Sequence, residues 1–146
     1  TSDKKMLLGV EIKGRDTKTA DEAIKIIKDF DCIDRCWFYS WNAVMIKYLK
    51  QKHNVRTMGY PEFAMQDLEL APDMIDYSDY IGISELFMSK KLCLLYQTMN
   101  KPMRMFCMNN EEDVIDAINF GAMAITADDP VPLLKYLNEH DMRIEK

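Results

Sequence analysis

Apolar positions fall in short blocks separated by polar stretches, and the blocks alternate between two periods. The run from Met6 to Gly14, "MLLGVEIKG", is short and bounded by lysines and a glycine, which predicts a strand. Side chains two apart on a strand share a face, so Glu11 and Lys13 point one way and Val10 and Ile12 the other. Two readings follow: a charged pair at a sheet edge, or two ligands at the mouth of a sheet. Thr19 with Asp21 and Glu22 then predicts a helix start, with Ala23, Ile26, Ile27 and Phe30 at the i, i+3, i+4, i+7 spacing of one face. Cys36 to Ser40 reads as an aromatic strand, and Asn42 as the cap of a helix carrying Met45, Tyr48 and Leu49.

The same unit recurs. Val55 to Gly59 and Tyr80 to Ser84 predict strands, separated by an acidic, proline-containing stretch over 60–79 that reads as a loop and a short helix. Ser89 caps a helix with Leu92, Leu95, Tyr96 and Met99 on one face, and Met103 to Met108 follows as a strand. Asn110 with Glu111, Glu112 and Asp113 marks the clearest helix start, Val114, Ala117 and Ile118 face inward, and Gly121 is the stop. Ala122 to Thr126 is the last strand, and Asp129 with Pro130 opens a final helix through Leu133, Leu134 and Leu137. Six short strands alternating with helices describe successive βα units with a parallel sheet, an α/β class. Spacing alone leaves an open doubly wound sheet and a closed barrel as alternatives.

Composition narrows the function. The chain has 146 residues, which fits one domain, 1–146, with one core. Its net charge of −5 argues against a nucleic-acid footprint, which needs clustered Lys and Arg. No apolar run reaches the roughly 18 residues of a membrane-spanning helix. The chain opens with Thr1, Ser2 and Asp3 rather than Met, as a piece of something longer would. Cys32 and Cys36 lack a second close pair or a His pair, so the four cysteines read as buried thiols rather than a zinc site, leaning slightly to a reducing, cytoplasmic setting. The twelve methionines fall mostly at apolar-periodic positions and read as core filler. No dinucleotide-binding or P-loop glycine pattern is present.

Four stretches, in order, resemble the later part of the glycerophosphodiester phosphodiesterase family. "GVEIKG" (9–14) is similar to the strand with a metal-binding glutamate and a phosphate-contacting lysine, and "WFYSWN" (37–42) to a Ser-Phe-Asp-like strand end. "MRMFCMNNEEDV" (103–114) resembles a Trp-Thr-Val-Asn strand end with its helix, and "GAMAITADDP" (121–130) the closing Gly-Val-Asp-Gly-Ile-Ile-Thr-Asp-Tyr-Pro segment. The resemblance implies a TIM-type (β/α) barrel, incomplete, with about six of its strands. It also implies a divalent cation, Mg or Ca, on Glu11, the substrate phosphate on Lys13, and a pocket lined by Trp41, Phe106 and Asn109. Phe106 stands where the family has Trp, Cys107 where it has Thr, and Ala127 where it has a Thr before Asp128.

The family's His-Arg-Gly strand, Pro-Glu-Asn motif, Glu-x-Asp pair and His-Asp motif are absent from this sequence. His53 follows a predicted helix end and His140 lies in the terminal helix or tail, so both read as surface residues and no catalytic residue is assigned to this chain. The implied reaction is therefore that of the intact domain: metal-dependent hydrolysis of a glycerophosphodiester to glycerol phosphate and an alcohol. A barrel needs about 250 residues and eight strands, so completion by an N-terminal barrel segment or by self-association is expected. Two other readings stand beside it. One is a non-catalytic remnant acting as a binding or assembly module; the other is a different phosphate-binding α/β barrel or open sheet, using Lys13 and the Gly121 region without metal.

Overall fold

The computed structural model describes residues 6–142, and the chain divides into two compact units, Thr1–Tyr80 and Ile81–Lys146. In the first, β1 (Leu8–Glu11), β2 (Cys36–Tyr39) and β3 (Thr57–Gly59) are joined by α1 (Thr17–Asp29) and α2 (Ala43–Tyr48). β1 pairs with β2 and β2 with β3, all parallel. The second holds β4 (Tyr80–Ser84) from Ile81 on, α3 (Lys90–Thr98), β5 (Met103–Phe106), α4 (Glu111–Asn119), β6 (Ala122–Thr126) and α5 (Val131–Glu139), again with consecutive strands parallel and adjacent. Within each unit the strand order follows the chain. A doubly wound sheet reverses its order at a switch point, so this progression favours the barrel type.

Alternation along β1 fixes what faces where. Leu8, Val10 and Ile12 pack into a core with Ala20 and Ile24 of α1, Cys36 and Phe38 of β2, and Met45 and Leu49. Glu11, in register with Tyr39, takes the opposite face. Gly9 is required there: a Cβ at this position would lie 2.6 Å from the Trp37 ring.

Several expected details shift. α1 starts two residues before Thr19, because Asp16 accepts the Lys18 N–H (3.0 Å) and the Thr19 hydroxyl (3.1 Å) and so caps the helix first. Its inward stripe is accordingly Ala20, Ala23, Ile24 and Ile27, while Ile26 and Phe30 are exposed. In α3 the inward residues are Cys93 and Tyr96, and Leu95 and Met99 are exposed. Leu92 to Tyr96 is apolar almost all round, so periodicity placed Tyr96 on the inward face correctly but put Leu95 and Met99 there in place of Cys93. β3 begins at Thr57 rather than Val55, and β5 ends at Phe106 rather than Met108, because Cys107 turns to φ +64. The 60–79 stretch forms three short 3-10 turns, Glu62–Ala64, Leu68–Leu70 and Met74–Tyr77, rather than one helix.

The caps at Asn42, Ser89 and Asn110 hold as expected, each accepting a backbone N–H three residues on. Cys32, Cys36 and Cys93 are buried thiols; the Cys36 Sγ donates to the Cys32 carbonyl at 3.2 Å. Among the described residues no helix is long and apolar enough to cross a membrane.

His53 is not the surface residue its sequence position implied. α2 runs on into a π-helical turn, Leu49–His53, closed by Asn54 at φ +50, and this swings His53 under α1. There its side chain is 13% exposed and its Nε2 lies 2.7 Å from Asp21. Tyr48 and Lys52 each donate to the same carboxylate at 2.8 Å. Hydrogen bonding from Lys52, then Tyr48 and His53, holds the Asp21 carboxyl well below the usual carboxylate range. His140 is exposed, with its Nδ1 at the Tyr136 carbonyl.

Candidate functional site

The C-terminal strand ends of the first unit gather its charged and aromatic groups. Glu11 sits on the last residue of β1, 29% exposed, and Lys13 follows two residues on, 81% exposed, with Nζ 3.8 Å from the Glu11 carboxylate. They form the loose ion pair of the first expected reading. A pair this open is worth about 0–1 kcal/mol, so it contributes little to the fold and leaves Lys13 available to an anion.

The surrounding side chains are less free. Tyr39 lies beside Glu11 in the β ladder, and burial, then the Glu11 charge, pushes its phenol up. Tyr60, just past β3, is buried and its phenol is pushed up further, by burial first and then by Tyr39 and Glu11. Both phenols therefore stay neutral beside the carboxylate. Trp41 stacks on Tyr60 at 3.6 Å between ring centroids with an interplanar angle of 3°, so the expected pocket-lining aromatic is held flat against a second one.

Backbone stitching fixes this rim. The Ser40 hydroxyl donates to the Ile12 carbonyl (2.8 Å), tying the end of β2 to the end of β1. Gln66 bonds the Trp41 carbonyl (2.8 Å) and accepts from the Ala43 N–H (2.9 Å), which brings in the loop after β3. Asp67, at φ +54, then takes two donors: the Asn42 amide at 2.5 Å and the Arg15 guanidinium at 2.5 Å. One carboxylate thereby joins the strand ends of β1 and β2 to that loop. Gly14, at φ +82, makes the turn that carries the chain from Lys13 to Arg15.

Phe106 and Asn109 belong to the second unit. Phe106 is half-buried at the end of β5, in register with Ser84 and Thr126. Asn109 is exposed, and both ends of its amide are engaged by Asp128: Nδ2 donates to the carboxylate (2.9 Å) and Oδ1 accepts the Asp128 N–H (2.8 Å). It acts as a latch between the ends of β5 and β6. Glu85 accepts from the Ser84 hydroxyl at 2.6 Å. The Cys107 thiol is pushed up by burial and by Glu85 and Asp128, which makes it a poor nucleophile.

Sequence reading named Glu11, Lys13 and Trp41, which the fold places along one rim, and Phe106 and Asn109, which it places along another. It missed Tyr39, Tyr60, Arg15 and Asp67. Tyr60 had a signal, since it directly follows a predicted strand; Asp67 had none, because its role depends on an irregular loop. Among the described residues no group of three or more His, Cys, Asp or Glu is positioned to hold a metal ion. Glu11 is a single carboxylate, whereas Mg²⁺ and Ca²⁺ take six or more oxygen ligands. The residues present supply one ligand and do not make a cation site by themselves.

No family model matches the sequence, and no curated protein matches it. Solved structures do match. A glycerophosphodiester phosphodiesterase from Parabacteroides distasonis aligns with a TM-score of 0.73 at 12% identity, covering 92% of this chain and 58% of that one. A phosphodiesterase from Oleispira antarctica, in complex with the product sn-glycerol-3-phosphate, aligns at 0.71 and 15% identity, covering 91% and 56%. The Bacillus subtilis YkuI protein, which has an EAL domain and was solved with c-di-GMP and calcium, aligns at 0.64 and 7% identity, covering 96% and 46%. At these identities the likeness is one of fold: an incomplete α/β barrel of the TIM type, as the sequence implied. The chain spans about half the length of the structures it matches.

Proposed function

We propose that this chain is the C-terminal part of a phosphodiesterase barrel whose intact domain hydrolyses a glycerophosphodiester to glycerol phosphate and an alcohol. The observation that carries the reading is Glu11 and Lys13 side by side, 3.8 Å apart, at the C-terminal end of a parallel strand, the end where such barrels carry their chemistry. The names of the similar structures, and the product bound in one of them, support the substrate class. Lys13 binds the phosphate and Trp41 walls the glycerol-like part; in the second unit, Asn109 holds the end of β5 to that of β6 through Asp128. Glu11 would contribute one ligand to a divalent cation, Mg²⁺ or Ca²⁺, if other ligands completed its site, and such a cation would supply Lewis-acid chemistry. The remaining cation ligands and the proton-transfer groups come from a barrel segment outside this sequence, or from self-association. The chain alone binds product and does not turn over substrate.

Titration of the chain with sn-glycerol-3-phosphate, followed by NMR, tests this. Shifts concentrated at Glu11 to Arg15 and Trp41, and lost in Lys13→Met, support the reading; equal binding by wild type and Lys13→Met sinks it. Hydrolysis of a glycerophosphodiester by the chain alone would disprove the assignment of the proton-transfer groups to another segment. The second reading, a non-catalytic binding module, is favoured by the single metal ligand. It gains if phosphate binding is indifferent to Mg²⁺ and Ca²⁺ even when an added barrel segment restores a closed domain.

A further inference from the structure

Helix α3 presents an unusual outward face. Its inward side is formed by buried Cys93 and Tyr96, while Leu94, Leu95 and Met99 are 51%, 52% and 41% exposed. A helix lying on a core ordinarily shows charged or polar groups there. The loop ahead of it adds Leu86, 79% exposed, in a turn closed by the Met88 N–H on the Ser84 carbonyl at 3.0 Å. Between these apolar groups stand exposed Lys90 and Lys91, the first two residues of the helix.

The charge pattern is equally unusual. From Leu86 to Met99 there are two lysines and no Asp or Glu, in a chain whose net charge is −5. The lysines also stand at the positive end of the helix dipole, where acidic residues are the stabilising choice, and the first turn has none. α4, by contrast, opens with Glu111, Glu112 and Asp113. The lysine pair thus works against its own helix and gains from an external anion. A partner that satisfies the whole surface is anionic and takes up leucine and methionine side chains at the same place.

We infer that α3 and the loop before it dock on an anionic lipid surface, with Leu86, Leu94 and Leu95 entering the headgroup region and Lys90 and Lys91 pairing with lipid phosphates. Lysines flanking exposed leucines are the composition of helices that lie in a membrane interface. Protein interfaces instead draw on Trp, Tyr and Arg anchors and are depleted in Lys. The inference is independent of the proposed phosphodiester chemistry, since it uses none of those residues.

Flotation of the purified chain with phosphatidylcholine vesicles, with and without phosphatidylglycerol, tests it, because vesicle-bound protein rises and aggregated protein sinks. The chain rises with the anionic vesicles alone. At about fivefold per lysine near a charged surface, Lys90→Gln with Lys91→Gln lowers partitioning roughly thirtyfold. Leu86→Ser with Leu94→Ser lowers it as well, and added salt weakens it. All four positions are exposed, and circular dichroism checks that the variants stay folded. Failure to rise with anionic vesicles, equal flotation on neutral ones, or flotation indifferent to the variants overturns the inference. Binding of polyglutamate as strong as that of anionic vesicles overturns it in favour of an acidic protein partner.

Discussion

Asp67 offers a sharp test of how the rim of the first unit is held. Its carboxylate accepts the Asn42 amide and the Arg15 guanidinium, each at 2.5 Å, from a backbone position at φ +54. Asp67→Ala removes both acceptors and places a Cβ-bearing residue without a polar side chain in the left-handed region. Asn42 is 2% exposed, so its orphaned amide costs about 1–3 kcal/mol. Arg15 is 71% exposed, and its lost ion pair costs about 0–1 kcal/mol. The left-handed conformation adds about 1–2 kcal/mol for Ala. The sum is about 2–6 kcal/mol.

Companion substitutions separate these contributions. Asp67→Gly drops the conformational cost but keeps the orphaned amide. Asp67→Asn tolerates the left-handed backbone, keeps one oxygen for Asn42, and loses only the weak charge pairing. The expected order of stability is Asp, then Asn, then Gly, then Ala. Urea unfolding reads this directly: with a slope of about 1–3 kcal/mol per molar, Asp67→Ala lowers the midpoint by about 1–2 M or more, and Asp67→Asn by a few tenths. If Asp67→Asn destabilises as much as Asp67→Ala, the argument that Asn42 needs an oxygen acceptor there fails.

Three further outcomes are expected. Gly59→Ala would bring a Cβ to 2.5 Å from the Met74 sulfur and 2.6 Å from the Ser78 hydroxyl, in a region where Met74 is fully buried, and should cost about 1–3 kcal/mol in thermal or urea unfolding. Asp21 and Asp73 are held below the usual carboxylate range, chiefly by Lys52 and Lys47, so their contribution to stability is present above about pH 4 and lost as pH falls below it. An unfolding series against pH should decline on that acid limb, and Asp21→Asn should flatten it. Because burial, Glu85 and Asp128 push the Cys107 thiol up, native chain at pH 8 should react with iodoacetamide more slowly than a free cysteine, and Glu85→Gln should speed it.

Element order and type were legible because they rest on local signals: Asn42, Ser89 and Asn110 each cap the helix that follows, and the six strands fall where apolar blocks predicted. The partly misassigned faces of α1 and α3 arise where neighbouring apolar residues fit the helical period equally well, so that Ile26 and Leu95 satisfy it as Ile24 and Cys93 do, while Ala23, Ile27 and Tyr96 fall inward as expected. Glu11 and Lys13 could be paired from spacing alone, because two residues on a strand fix a shared face. Asp67 could not be joined to them, since its place depends on a loop whose route is set by bonds such as Gln66 to Trp41 rather than by pattern. His53 was misplaced for a related reason: a π-helical turn adds residues to the helix end and rotates the ring toward Asp21.

The progression of strands in chain order also bears on how the molecule is made. Leu8 pairs with Cys36, Phe38 with Thr57, Ile81 with Met103, and Met103 with Ala122, so within each unit a strand meets the next after a crossover of about 20–30 residues. During synthesis a strand that has left the ribosome already offers a template edge to the next one, and assembly can proceed from the N-terminal side without waiting for distant sequence. The same property sets where such a chain can be cut. Removing α5, or β6 with it, takes away a late addition, whereas a cut inside α1 severs the crossover that holds β1 and β2 in register.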